Sequence, residues 1–165
     1  MRRRRRWRRR PDRLRAKPTL RERAVALLAR REHTRVELAA KLARFAADRD
    51  EVAPLLDDLA RRKLLSDERF ADARAHALAR KFGVARIEHE LRSKGVGAGA
   101  IARATGDARA TEVTRAREAW RRRFGAPPAD ALEKAKQMRF LRGRGFSFEA
   151  IRAVVGREDE EGDPS

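Results

Sequence analysis

Cysteine and tyrosine are both absent from this 165-residue sequence, and histidine occurs only at His33, His76 and His89. Without cysteine there are no disulfides, thiolate nucleophiles or cysteine-rich zinc sites, and a reducing compartment is compatible with the chain. The three histidines fall on different predicted elements and form no His-Glu-x-x-His pair, so no metal centre is expected. β-Branched residues are sparse while alanine, leucine, arginine and glutamate dominate, which predicts an all-α protein. No apolar run approaches the ~20 residues that span a bilayer. The arginine-rich start also lacks the apolar segment of a secretory signal, so a soluble cytoplasmic protein is expected.

Reactive constellations are missing as well. The glycine-rich piece from Gly95 to Gly99 has neither the preceding strand nor the following lysine of a phosphate loop, and reads as a helix-to-helix turn. Ser66, Ser93, Ser147 and Ser165 sit at caps, near a helix end or in the tail, none with the glycine-flanked geometry of a nucleophile elbow. Asp57-Asp58 and Asp67-Glu68 are explained by solvated charge and by the positive helix start. No enzymatic activity and no cofactor are expected.

Positive charge is what the chain has in excess. Lysine and arginine number 43 against 25 acids, a formal net charge of +18. A polyanion is attracted strongly to such a chain, released counterions supplying much of the binding free energy. From Met1 to Lys17 there are eleven basic residues and one acid, whereas Arg157 to Ser165 carries five acids and one arginine. The run Arg2, Arg3, Arg4, Arg5, Arg6, Trp7, Arg8, Arg9 and Arg10 cannot bury enough apolar surface to order itself. Residues 1–18 are therefore predicted to be a disordered arm with sequence-independent affinity for nucleic acid, and 157–165 an acidic disordered tail.

Within the body, positive charge recurs as Arg61-Arg62-Lys63, Arg92 with Lys94, Arg121-Arg122-Arg123, and Arg139 with Arg142 and Arg144. Most of these lie near predicted helix C-termini, where cations complement the helix dipole. Gathered on one side of the fold, they would instead form a basic track for a phosphate backbone or an acidic protein groove. Arg61, Arg62, Lys63, Arg92, Lys94, Arg121, Arg122, Arg139, Arg142 and Arg144 are accordingly the candidate contacts to a partner or DNA. No segment has the mixed asparagine, glutamine and arginine content of a recognition helix. Trp120 and most phenylalanines fall on apolar stripes, as core rather than as stacking platforms.

Helix starts are unusually well marked. Thr19 with Glu22, Thr34 with Glu37 and Asp48 with Glu51 each have the spacing of a capping box, and Ser66 and Asp130 open further helices. Leu65 and Phe70, Phe82 and Ile87, Val96 and Ile101, and Phe146 and Ile151 stand at the positions of a hydrophobic staple. Gly95 and Gly145 are suited to the left-handed residue that ends a helix. A long helix is predicted from Asp107 to Phe124, with Val113, Ala116, Trp120 and Phe124 on one stripe.

Nine helices result, in three groups of three, with a repeat of about fifty residues. Leu91 to Val96 aligns with Leu141 to Phe146, and the anchors Leu42 and Val52, Leu91 and Ile101, and Leu141 and Ile151 keep one interval. Three-helix units of about 19–65, 66–106 and 107–156 are expected to stack into an elongated, curved array, most simply as a monomer. The first unit is less regular, since Ala46 and Ala47 stand where the others have glycine and a larger apolar residue.

Four stretches, Leu28 to Leu38, Leu64-Leu-Ser-Asp-Glu-Arg-Phe-Ala71, Leu91-Arg-Ser-Lys-Gly-Val96 and Arg139-Phe-Leu-Arg-Gly-Arg-Gly-Phe-Ser-Phe148, together resemble the recurrent motifs of the RecX family of RecA regulators. The resemblance runs from about Thr19 to Gly156 and departs in the arginine-rich arm, the acidic tail and the glycine-poor first unit. It implies three tandem three-helix units and a non-catalytic partner of the RecA filament on single-stranded DNA. Such a partner would limit filament growth, ATP hydrolysis and strand exchange in recombination, DNA repair and the SOS response. The alternative from another class is a stand-alone protein that coats nucleic acid without a recombinase, for which the arm is the best argument.

Overall fold

The computed structural model describes residues 17–156, so the arginine run with Trp7 and the acidic tail lie outside the described residues. Among the described residues all regular structure is helical, and no strand occurs. Its helices are α1 (Leu20–Leu28), α2 (Arg35–Leu42), α3 (Val52–Arg61), α4 (Asp67–Ala79), α5 (Val84–Ser93), α6 (Ala98–Ala104), α7 (Gly106–Ala110), α8 (Glu112–Arg123), α9 (Ala131–Gly143) and α10 (Phe148–Val155).

Local chemistry sets these boundaries. Thr19 forms a full capping box: its hydroxyl accepts from the Glu22 amide, and the Glu22 carboxylate accepts from the Thr19 amide at 2.7 Å. Thr34, Ser66, Asp130 and Ser147 each accept from the amide three residues on. The box expected at Thr34 is half formed, because Glu37 turns away to take two hydrogen bonds from Arg31. The box expected at Asp48 does not form. Its carboxylate accepts from the amide two residues on, at Asp50, and opens a short 3₁₀ turn, Arg49–Glu51, that leads into α3.

Three apolar cores follow the order of the chain. Leu38, Leu42, Val52, Leu56 and Leu59 are buried among α1 to α3, with Leu65 closing the group. Phe70, Ile87, Leu91, Val96 and Ile101 fill the second core, and Leu141, Phe146, Ala150, Ile151 and Val155 the third. All three repeated anchor pairs are therefore core. Polar groups at depth are satisfied: Gln137, 1% exposed, accepts from the Trp120 indole at 2.6 Å and donates to the Ala126 carbonyl.

The single helix expected from Asp107 to Phe124 is two helices. At Thr105 and Thr111 the hydroxyl donates back to the carbonyl four residues earlier, at 2.9 and 2.8 Å. Such bonding competes with helix continuation and bends the axis. The break lets Ala108 of α7 pack into the second core while Ala116 and Ala119 of α8 pack into the third.

The cores are joined by two seams built on one plan. At the first seam, the carboxylate of Asp67, which opens α4, accepts from the Arg35 amide at the start of α2 at 2.7 Å. At the second, the buried carboxylate of Glu112, which opens α8, accepts from the Val84 amide at the start of α5 at 2.8 Å. Gly95, at φ +79°, ends α5 against Val36 of α2, and Gly145, also at φ +79°, ends α9 against Arg86 of α5. The second seam adds backbone pairing, with Gly83 donating to the Arg144 carbonyl at 2.9 Å and Ala85 to that of Gly145 at 3.2 Å. Half-buried Arg115 donates to the carbonyls of Ala79 and Phe82 at 2.9 and 2.6 Å, and also to that of Ala108.

Candidate partner-binding surface

The structure sorts the candidate basic residues by what already neutralises them. Arg61 and Arg62, at the end of α3, bond Asp58 at 3.3 and 2.9 Å, and Arg21 of α1 joins the same carboxylate at 2.6 Å. These guanidinium groups, the Arg21 hydrogen bond foremost, hold the Asp58 carboxyl down to about 2. Arg61 and Arg62 therefore belong to a cluster that closes α1 onto α3. Lys63 has φ +58°, the left-handed position that ends a helix and that glycine ordinarily fills.

Arg92 and Lys94 are partly engaged. Arg92 lies 3.8 Å from Glu88, which also receives Arg109 at 2.5 Å. Lys94 lies 3.8 Å from Glu37 across the first seam, in a cleft it shares with Arg31 and Arg74. Arg144 occupies the equivalent place at the second seam, where it stacks 4.4 Å over the Phe140 ring and reaches the Lys81 carbonyl at 3.5 Å. Lys94 and Arg144 thus sit at two equivalent joints of the array.

Arg121, Arg122, Arg139 and Arg142 differ from all of these. They are exposed, and among the described residues none of them has a carboxylate partner. Between residues 112 and 156 there are eleven basic residues to five acids, so the third unit carries free positive charge where the first carries ion pairs. Arg122 stands beside Arg80, Lys81 and Arg115 in a shallow depression at the second seam. Arg139 and Arg142, one turn apart on α9, edge a cleft of about 490 Å³ between α9 and α10. Its other walls are Ala135, Met138, Phe146, Phe148 and Ile151.

Phe148 is the residue that sequence reasoning missed. The phenylalanines were expected mostly in the core, yet Phe148 is 70% exposed, while Phe146 two positions earlier is buried. Phe146 stands at the staple position before the Ser147 cap, and Phe148 is the first helical residue after it, turned outward. That difference of two residues across a cap is the signal that separates them.

Helix-repeat architecture, with capped seams between units and an unneutralised arginine surface on the last, defines a class of protein in which shape and charge are the features on offer. Comparisons with known proteins narrow this. Residues 66–104 match the family described as RecX, second three-helix domain, and residues 110–155 that described as RecX, third three-helix domain. The chain is 51% identical over 145 residues to the regulatory protein RecX of Leptothrix cholodnii, covering 88% of this chain and 92% of that protein. It is 46% identical over 139 residues to that of Ralstonia nicotianae, covering 84% and 85%. The crystal structure of RecX from Lactobacillus salivarius superposes with a TM-score of 0.67 at 21% identity, over 82% of this chain and 91% of that one, which is a likeness of fold. The chain belongs to the RecX family of regulatory proteins.

Proposed function

We propose that this chain regulates the RecA recombinase in the cytoplasm by binding the filament that RecA forms on single-stranded DNA, without catalysing a reaction itself. The observation that carries the reading is the match to regulatory RecX proteins over nearly the whole described array. The free arginines of the third unit support it, since a filament on DNA presents both phosphate and acidic protein surface to such charge. Bound along the filament, the array limits growth, ATP hydrolysis and strand exchange.

The decisive experiment titrates the full chain into RecA-catalysed, DNA-dependent ATP hydrolysis, with excess single-stranded DNA as competitor. The expected outcome is inhibition at amounts well below one chain per RecA that survives the excess DNA. Inhibition that requires residues 1–17 and vanishes with excess DNA would mean that the chain only competes for nucleic acid, and the stand-alone coating protein would be the better account.

A further inference from the structure

The cleft between α9 and α10 combines three features that the ion-paired surfaces of the first two units do not. Its floor is apolar, formed by Met138, Phe146 and Ile151, and at about 490 Å³ it falls within the size range of ligand pockets. Its edge carries Arg139 and Arg142, which lie on one face of α9 three residues apart and have no anion within the described residues. No carboxylate lines it. Phe148 stands at its rim with 70% of its surface in solvent, and the Phe146 contact already anchors that end of the helix, so the exposed ring adds little to the core.

We propose that this cleft is a single-strand clamp, in which Phe148 stacks against a nucleotide base while Arg139 and Arg142 hold the adjoining phosphates. An exposed aromatic face next to unpaired guanidinium groups suits single-stranded nucleic acid, because every base offers a π-face and every nucleotide a charge. A duplex fits less well, since its bases are stacked on each other and the ring has none to meet. An acidic peptide would satisfy the arginines too, but it has no need of a bare ring beside them. The overall charge of +18 favours the polyanion. The inference deepens the proposed function by placing a direct contact to the DNA strand in the third unit, and it rests on that reading only for its biological setting.

The test measures binding of the full chain, by fluorescence anisotropy, to a labelled oligothymidine, to an abasic strand of the same length, and to a duplex. The wild-type chain should bind the intact strand about tenfold more tightly than the abasic one, in line with the worth of one stacked base. Phe148→Ala should reduce that ratio to near one without weakening abasic binding. Arg139→Ala with Arg142→Ala should keep the ratio and reduce the log-log salt slope by about 1.4, two phosphate contacts at ~0.7 each. Arg61→Ala with Arg62→Ala, already paired to Asp58, should change neither quantity.

A ratio equal in wild type and Phe148→Ala overturns the clamp, as does a salt slope indifferent to the two arginines. Equal binding of intact and abasic strands, with displacement of both by polyglutamate through Arg139 and Arg142, would identify an acidic-peptide groove instead. RecA-catalysed ATP hydrolysis measured on the same variants separates the two readings. Base discrimination without any effect on RecA leaves the clamp and removes the proposed function, and the reverse outcome removes the clamp alone.

Discussion

At the first seam, the parts that meet are mostly side chains in contact with water: Asp67 under the Arg35 amide, Arg69 against Glu32 at 2.7 Å, and Gly95 against the end of the Val36 side chain. At the second, backbone meets backbone at Gly83 and Gly145, and the charges that bridge it, Glu112 and Arg115, are withdrawn from solvent. Burial pushes the Arg115 guanidinium below its ordinary pKa, and Glu112 nearby opposes that shift. Side chains rotate and water replaces their hydrogen bonds, whereas a backbone contact has no alternative arrangement. One plan, executed in different materials, thus joins the second and third units firmly and the first to the second more loosely.

Alanine at the seam glycines should expose this difference most strongly. Both occupy left-handed backbone that a β-carbon disfavours. At Gly145 the new carbon would also lie 2.5 Å from the Arg86 β-carbon and 2.7 Å from its backbone nitrogen, at Gly95 only 2.6 Å from a Val36 methyl. Gly145→Ala should therefore cost about 3 kcal/mol and Gly95→Ala about 1 to 2 kcal/mol in urea unfolding. Adding Val36→Ala should recover part of the second loss, while Arg86→Ala should recover none of the first. Equal costs at the two positions would dissolve the contrast.

Removing the carboxylates tests the same contrast at smaller scale. Glu112→Ala strands the Val84 amide in a buried place and removes the stronger of the two anions acting on Arg115, for a loss of about 2 kcal/mol. Asp67→Ala exposes the Arg35 amide to water at about 1 kcal/mol. Thermal melts of the two variants should rank them in that order.

The smallest effect is a pH dependence confined to the first unit. His33 is 2% exposed, with Nδ1 at 3.0 Å from the Arg31 carbonyl and Nε2 at 2.9 Å from the Lys41 ammonium. An ammonium only donates, so Nε2 accepts and Nδ1 donates, which fixes the neutral imidazole. Burial, foremost, pushes its pKa below 6.5 in the folded chain. The unfolded chain then binds more protons in the interval, so this stability is complete above about pH 6.5 and is lost as pH falls through the folded pKa. Melts between pH 8 and 5.5 should show that decline, and His33→Gln should flatten it. Glu22, Glu37 and Glu90, whose carboxyls are lowered from 4.5, act in a separate, more acidic window.

Much of this architecture was legible because it is written in local chemistry. Caps, staples and left-handed glycines act within five residues, and the anchors Leu91 and Ile101 or Leu141 and Ile151 repeat at one interval, so the cores could be located without a structure. The Asp48 box and the unbroken helix to Phe124 were misjudged for a related reason. An aspartate serves the amide two or three residues on equally well, and a threonine hydroxyl opposes helix continuation only where it bonds back to its own turn. The seams were hidden because they join residues distant in the chain: Asp67 reads as a helix-start acid and Glu112 falls inside the helix expected from Asp107 to Phe124, yet both cap helices of the preceding unit. For the surface, composition revealed how much charge there was but not which arginines had been spoken for, and that distinction separates Arg61 from Arg139.

Ala46 stands where the second and third units have Gly95 and Gly145. Gly95 and Gly145 end their helices in the left-handed region and lie against the preceding unit, whereas the turn after α2 has no left-handed residue and follows another course, with Phe45 and Ala46 both donating to the Leu42 carbonyl. At the opposite end α9 is capped by its own Asp130. At the Ala46 turn and its equivalents a glycine stands only where a described unit has another before it to lie against, so the turn residue reads as a mark of a unit's rank in the stack.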